Sequence, residues 1–594
     1  MVQRGAWFAC TVAIQLIFIM FRRFLLIFLL AGFIPLAAFA RADSDEACPR
    51  PAAGSTISEP EDLRSIHGVL RVDFTYRNFL DARGQMRYCY LYRDESQAPN
   101  LRLHPGDWLI LTLKNDLKAP AGWSGKNSAK AMAMPDSCGG GMMDAWSTNL
   151  HFHGLTVPPV CHQDDVLKTS IAPNGAAFEY RFQIPEDEPP GLYWYHPHVH
   201  GFSNAQVLGG ASGALIIEGI ERANQLLAGM PERVLIIRDQ DLLNPDAAAA
   251  DSPKIDVPVL RDAEGDILNT GNGLGKPAKD LSINFVPVPF PEYPPAVVNI
   301  RPAERQLWRV LNASAITYVD LQILSGGVPQ PMGVVSLDGI PINEDGMTQN
   351  RIIWQNHVLL PPAGRIEFVF KGPPEGQRAR LITRSVDTGP AGENDPVRPL
   401  AEIISKADAP EPQSALSVSP ATAIRQTSVW LGNVNPAHER KLYFSEKPSD
   451  PNNPNSPTTF FITIDGQTPV PYDPNSTVPN LIVQQGDVED WTIENRSQEL
   501  HAFHIHQIHF MVIGWNGAPV DEPFLRDTVN VDYWDGKNPV YPSVKIRMDF
   551  RDPNAAGLSV YHCHLLEHED GGMMGTILVK PAIAVKPTPV QPKY

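Results

Sequence analysis

The sequence predicts an all-β protein of three tandem Greek-key β-sandwich domains, on three grounds. The chain has 594 residues, room for three or four domains of ordinary size. It carries 57 Pro and 44 Gly, which disfavours long helices and suits short strands joined by tight turns. One strand pattern also recurs: Gly106-Asp107-Trp108-Leu109-Ile110-Leu111-Thr112-Leu113-Lys114-Asn115, Arg305-Gln306-Leu307-Trp308-Arg309-Val310-Leu311-Asn312, and Gly486-Asp487-Val488-Glu489-Asp490-Trp491-Thr492-Ile493-Glu494-Asn495. Each reads as a strand ending at Asn, a residue that readily closes strands into turns. Their spacing, on the order of 190 residues, is too long for a solenoid and fits tandem domains. With 43% hydrophobic and 19% charged residues, the chain is neither disordered nor, lacking a Gly-X-Y period, collagen-like.

Residues 1–42 read as an export signal. Arg22-Arg23 precedes an apolar run over 24–40 that ends in Ala38-Phe39-Ala40, a small-x-small cleavage site. Met20 is an alternative start, and Arg22-Arg23-Phe24-Leu25-Leu26 has a twin-arginine flavour. The protein is therefore expected to be periplasmic or secreted, with membrane contact only if the segment is retained. The sandwiches are expected over 60–220, 230–405 and 425–582. A Pro-containing linker spans 409–413, a Pro/Asn-rich loop 450–458, and a Pro/Lys-rich tail 583–594. In 365–370, Ile366, Phe368 and Phe370 alternate onto one face.

The formal net charge of −17 disfavours nucleic-acid binding by bulk charge. No Gly-rich phosphate loop follows a strand, so nucleotide chemistry has no support. Of 6 Cys, Cys10 lies in the signal. Cys48, Cys89, Cys138 and Cys161 suit two disulfides in an oxidising compartment, with Cys48–Cys89 and Cys138–Cys161 preferred on proximity. Cys563 is left over.

The histidines explain it. Of 17 His, ten fall in four clusters: His151-Phe152-His153-Gly154, Trp194-Tyr195-His196-Pro197-His198, His501-Ala502-Phe503-His504-Ile505-His506, and His562-Cys563-His564-Leu565-Leu566-Glu567-His568 followed by Gly571-Gly572-Met573-Met574. Residues two apart on a strand share a face, so each His-x-His pair aims two imidazoles one way. Eight imidazoles exceed one tetrahedral zinc and suffice for several metals in one cavity. Cys563 lies between two of these His and faces oppositely, and His501 is out of phase with His504 and His506. Cys563, His501 and His568, with Met573 as weak axial ligand, make the His₂Cys set of a blue-copper electron-transfer centre. Two metal sites back to back are expected. One Cys with ten His and no CxxC is not a zinc-ribbon composition.

These motifs, in this order, resemble the multicopper oxidases: laccases, ascorbate oxidase, ceruloplasmin-like proteins and bacterial cuprous oxidases. The resemblance covers the chain beyond the signal and implies three cupredoxin-like domains and four copper ions. It places type 1 copper on His501, Cys563, His568 and Met573, and type 2 on His151 and His504. One type 3 copper takes His153, His196 and His564; the other takes His198, His506 and His562. It implies that electrons from a reducing substrate pass from the type 1 copper through Cys563 into His562 and His564, and that four of them reduce one O₂ to water.

For proton delivery, Asp164 and Asp165 lie where relatives place a carboxylate. Cys161-His162-Gln163-Asp164-Asp165 departs from the usual spacing, which leaves the choice between them open. Glu569 matches a second such carboxylate. His67, His104, His162, His200, His357, His438 and His509 fall outside the ligand positions. The insert 117–148 holds Met132, Met134, Met142 and Met143, soft donors that suit Cu(I), though Met also serves as adaptable filler.

Three functions compete. A laccase-like oxidase of phenolic or aromatic donors stands first, a Cu(I) metallo-oxidase for copper tolerance second, and a non-enzymatic cupredoxin scaffold third. The scaffold reading would require missing ligands, and none is missing. A copper nitrite reductase is disfavoured because that class lacks the full set of His-x-His pairs.

Overall fold

The three recurring segments are the strands Trp108–Asn115, Arg305–Asn312 and Val488–Asn495. Each sits between a parallel neighbour (Val69–Leu80, Pro231–Gln240, His438–Pro448) and an antiparallel one (Ala176–Gln183, Arg365–Lys371, Ser543–Asp549). The closing Asn does the same work three times. Asn115, Asn312 and Asn495 are fully buried. The side-chain oxygen of each accepts the N–H two residues on, from Leu117, Ser314 and Ser497, an Asx turn. The amide of each donates to two backbone carbonyls across the sandwich: Trp146 and Ile171, Thr317 and Leu360, Glu499 and Val531. A buried turn would otherwise leave these groups unsatisfied.

The computed structural model describes residues 47–118, 138–139, 143–247, 275–343, 350–418, 429–450 and 456–582. The signal segment, Met132, Met134, Met142 and the 583–594 tail lie outside them. The described residues pair into six sheets, two for each of three sandwiches. Each pair encloses its own apolar core, around Phe74 and Leu111, Trp308 and Phe368, and Trp491 and Phe503. Among the described residues, no helix is long and apolar enough to cross a membrane. Cys48–Cys89 and Cys138–Cys161 are disulfides, and Cys563 is free and buried.

Ile366, Phe368 and Phe370 face the second core, but the opposite face of their strand is also buried. Arg365 and Glu367 on that face are inaccessible because the second sandwich meets its neighbours there. Glu367 pairs with Arg309, Arg309 with Glu232, and Glu232 with Arg102 of the first sandwich. Charges survive such burial only when paired and hydrogen-bonded.

Two sheets carry the histidines. In the first sandwich, His151–His153 runs antiparallel to Gly191–His196, with His151 opposite His196 and His153 opposite Trp194. In the third, His501–Ile505 runs antiparallel to Gly557–Cys563, with His504 opposite His562 and Phe503 opposite Cys563. Pairs 151/153 and 562/564 thus arrive as cross-strand neighbours of further imidazoles.

Candidate metal centre

The two histidine-bearing sheets meet face to face. The His151 ring stacks on His506 with centroids 3.8 Å apart, and His153 stacks on His504 at 3.9 Å. His196, His198, His562 and His564 close the ring, and all eight imidazoles are at most 2% exposed. His562 Nε2 lies 3.4 Å from His198 Nε2 and 3.3 Å from His506 Nε2. The donor atoms of these three lie within 4.8 Å of one another, as do those of His151, His504 and His506, and of His151, His153 and His196.

The outward nitrogens are anchored. His151 Nδ1 is 3.0 Å from both oxygens of Asp164. His504 Nδ1 faces the Asp527 carbonyl at 2.9 Å, and His196 Nδ1 the Pro197 carbonyl at 3.0 Å. His562 Nδ1 faces the Cys563 carbonyl at 3.0 Å and the Glu569 carboxylate at 3.1 Å. His153 is reversed: its Nε2 lies 3.2 Å from Asp527 Oδ1. An outer partner of this kind fixes the tautomer and aims the other nitrogen inward. The inward atoms His151 Nε2, His153 Nδ1, His196 Nε2, His504 Nε2 and His564 Nε2 are buried without a partner. Burial also drives His198 and His504 toward their neutral form, lowering them to about 4 and about 3, in each case by desolvation first. Neutral, orphaned and convergent nitrogens fit metal ions.

Cys563 points the other way. Its Sγ lies 3.6 Å from His501 Nδ1 and 3.8 Å from His568 Nδ1, and those two nitrogens are 3.1 Å apart. Burial pushes the thiol pKa up, so a thiolate here needs a cation to stabilise it. Met573 is fully buried in the same core cluster. A soft thiolate with two imidazoles fits copper. The short helix Leu566–Asp570 serves both centres: His568 reaches back to Cys563, while Glu569 turns to His562, lies 3.6 Å from His198, and accepts from Ser203 Oγ. Burial alone would raise the Glu569 pKa, but His198 and His562 outweigh it and hold the carboxylate low.

Of the two adjacent acids, Asp164 is the one in contact with His151. Asp164 is 1% exposed, accepts the Phe152 N–H and the Gln507 amide, and has its pKa raised chiefly by burial. Asp165 instead accepts the Lys168 N–H. Other residues at the centre escaped the sequence reading: Gln507, Asp527, Arg365, and Trp194, which stacks on His196 at 4.1 Å. Gln507 directly follows a His-x-His pair, which is a signal of position; Asp527 and Arg365 carry no linear signal. Of the other His, His200 meets Tyr472 edge to face, and its backbone N–H points at Met143 Sδ. Cys138, Cys161 and His162 also cluster, but both sulfurs there are in a disulfide.

Beside His568, a cleft of about 20 Å³ is lined by Tyr318, Glu393, Asp395, Glu499 and Glu567. Glu499 Oε1 lies 3.3 Å from His568 Nε2, and Phe460 stacks on the ring at 4.2 Å.

Family models described as multicopper oxidase match residues 143–222 and 443–582. A multicopper oxidase of Staphylococcus haemolyticus is 24% identical over 522 residues, covering 86% of each chain. A laccase of Haloferax volcanii is 24% identical, covering 74% of this chain and 68% of its own. The solved structure of a Campylobacter jejuni multicopper oxidase, titled a metallo-oxidase, superposes with a TM-score of 0.62 at 25% identity, covering 89% of this chain and 96% of that one. Sequence, sheet topology and the two convergent donor sets agree: the chain belongs to the multicopper oxidase family, copper-using oxidoreductases with O₂ as acceptor.

Proposed function

We propose that this is an exported oxidase holding four coppers, which oxidises a small metal cation such as Cu(I) and reduces O₂ to water. In this reading His501, Cys563, His568 and Met573 hold the type 1 copper, and His151 with His504 the type 2. His153, His196 and His564 hold one type 3 copper, and His198, His506 and His562 the other. The bound coppers supply one-electron uptake from the donor and four-electron delivery to O₂. Cys563 and its flanking peptide bonds are the covalent link from the outer centre to His562 and His564. Asp164, whose carboxyl pKa is raised by burial, holds a proton at Oδ beside His151, and the ionised Glu569 carboxylate accepts one at Oε beside His562.

The observation that carries the donor class is the cleft at His568. The sequence ranks phenols first; the geometry supports the reverse order. A cleft of about 20 Å³ with four acidic side chains in its wall favours a small cation over an aromatic ring. Burial raises Glu393 to about 8 and Asp395 to about 7, so the attraction for a cation grows as pH rises through that range. The test compares O₂ uptake with Cu(I) and with a dimethoxyphenol in wild type and in a Glu393→Gln/Glu567→Gln double variant. The expected result is a several-fold higher KM for Cu(I), shrinking with added salt, and an unchanged phenol rate. Equal loss with both donors, or with neither, refutes the cation reading.

A further inference from the structure

The second sandwich supplies none of the proposed copper ligands, yet it reaches the trinuclear site through one buried ion pair. Arg365 Nη1 and Nη2 grip the Asp527 carboxylate at 2.7 and 2.6 Å, and both residues are fully buried. The rest of the guanidinium is spent on the carbonyls of Leu192, Ala363 and Asp338. Asp338 in turn accepts the N–H groups of Arg365, Asp527 and Thr528. First, second and third sandwiches thus converge on one carboxylate.

Asp527 touches two stacked cluster histidines at once. Its Oδ1 faces His153 Nε2 at 3.2 Å, and its backbone carbonyl faces His504 Nδ1 at 2.9 Å. Both partners are acceptors, so those two nitrogens carry the hydrogens. His153 Nδ1 and His504 Nε2 then present lone pairs inward, where each is buried without a partner. The backbone is shaped around this contact. Gly154 has φ +89°, and a Cβ there would lie 2.5 Å from Arg365 Nη2 and 2.8 Å from Asp527 Oδ2, so no other residue fits without displacing the pair. The carboxylate on the opposite side is set up differently: Asp164 has the neutral Gln507 amide as its partner at 2.7 Å, where Asp527 has a permanent cation.

We propose that Arg365 and Asp527 form a positioning device for the trinuclear site: the arginine of the second sandwich keeps Asp527 an obligate acceptor, which locks the tautomers and orientation of His153 and His504. The inference rests on the ligand reading above. Asp527 and Arg365 are positioning residues that act through the two imidazoles. An Asn at 527 keeps the shape but removes the charge and offers an N–H to His153, allowing the ring to turn its lone pair outward.

The test uses copper-loaded full-length protein and reads copper per chain, the visible band of the Cys563 centre, the near-ultraviolet type 3 band and the type 2 EPR signal. Asp527→Asn and Gly154→Ala are expected to keep the visible band while cluster copper binds 10–100-fold more weakly, the usual cost of losing an outer partner. Arg365→Lys, which keeps the charge but loses the two-pronged grip, is expected to fall between them and wild type. A variant set with full copper, unshifted type 3 absorption and an unchanged type 2 signal overturns the proposal. So does parallel loss of the visible band and cluster copper with a lowered melting temperature, which marks a merely structural pair. A wild-type chain that itself binds no more than one copper overturns the ligand reading first, and this inference with it.

Discussion

Glu188→Gln isolates one electrostatic cost in the first sandwich. Glu188 lies in the turn that launches the strand Gly191–His196, is 3% exposed, and accepts the Thr156 N–H at 3.4 and 3.3 Å. Burial pushes its pKa from 4.5 to about 8, with Asp552 and Asp187 adding to the rise and the Thr156 contact and Tyr193 opposing it. The folded protein therefore takes up a proton here that the unfolded chain releases above pH 4.5. Stability from this group is full below that pH, declines as pH rises, and levels off above about 8. At 1.36 kcal/mol per pKa unit the loss is on the order of 4–5 kcal/mol. Gln is neutral throughout and keeps an acceptor for Thr156. Thermal unfolding of both proteins at pH 5 and pH 9 should give near-equal midpoints at the lower pH. At the higher pH the variant should melt later, by roughly 10 °C at about 2–4 °C per kcal/mol for a domain of this size. Curves that stay parallel across that range refute the reasoning, because copper and every other group are common to both proteins.

Three further outcomes are expected. Cys563→Ser should abolish the visible absorption and donor oxidation while the cluster keeps its copper, checked by metal analysis with EPR. Asp164→Asn should slow O₂ reduction at least 10-fold, within the range of a lost proton-transfer group, with the visible band unmoved; unchanged turnover would remove Asp164 from proton delivery. Cys48→Ser with Cys89→Ser should cost roughly 3–4 kcal/mol, from a closed loop with sequence separation 41, read as a lowered unfolding midpoint that reductant no longer shifts.

What was legible in the sequence was whatever a period of two makes visible. His-x-His pairs announce a shared face, Cys563 and His501 announce the opposite one by phase, and the recurrent Asn marks a turn in every repeat. All of these are relations within a few residues. The relations that complete the site span the chain. Arg365 meets Asp527 from 162 residues away, and Gln507 meets Asp164 from 343. The acids at His568 come from separate segments around 393–395, 499 and 567, so no linear motif reports the acid-lined cleft on which the proposed cation donor rests. Asp164 and Asp165 are adjacent in an irregular turn, where no strand period places either one at His151.

One strand, Gly557–Cys563, carries Cys563 toward one proposed copper centre and His562 toward the other. Copper analysis of the purified protein, with absorption and EPR spectra on the same sample, tests this arrangement most directly. Four coppers per chain are expected, with a thiolate-to-copper band in the visible, a type 3 band in the near-ultraviolet and one type 2 signal. A fully loaded protein with a single copper, or with zinc in the histidine cavity and no visible band, would contradict it.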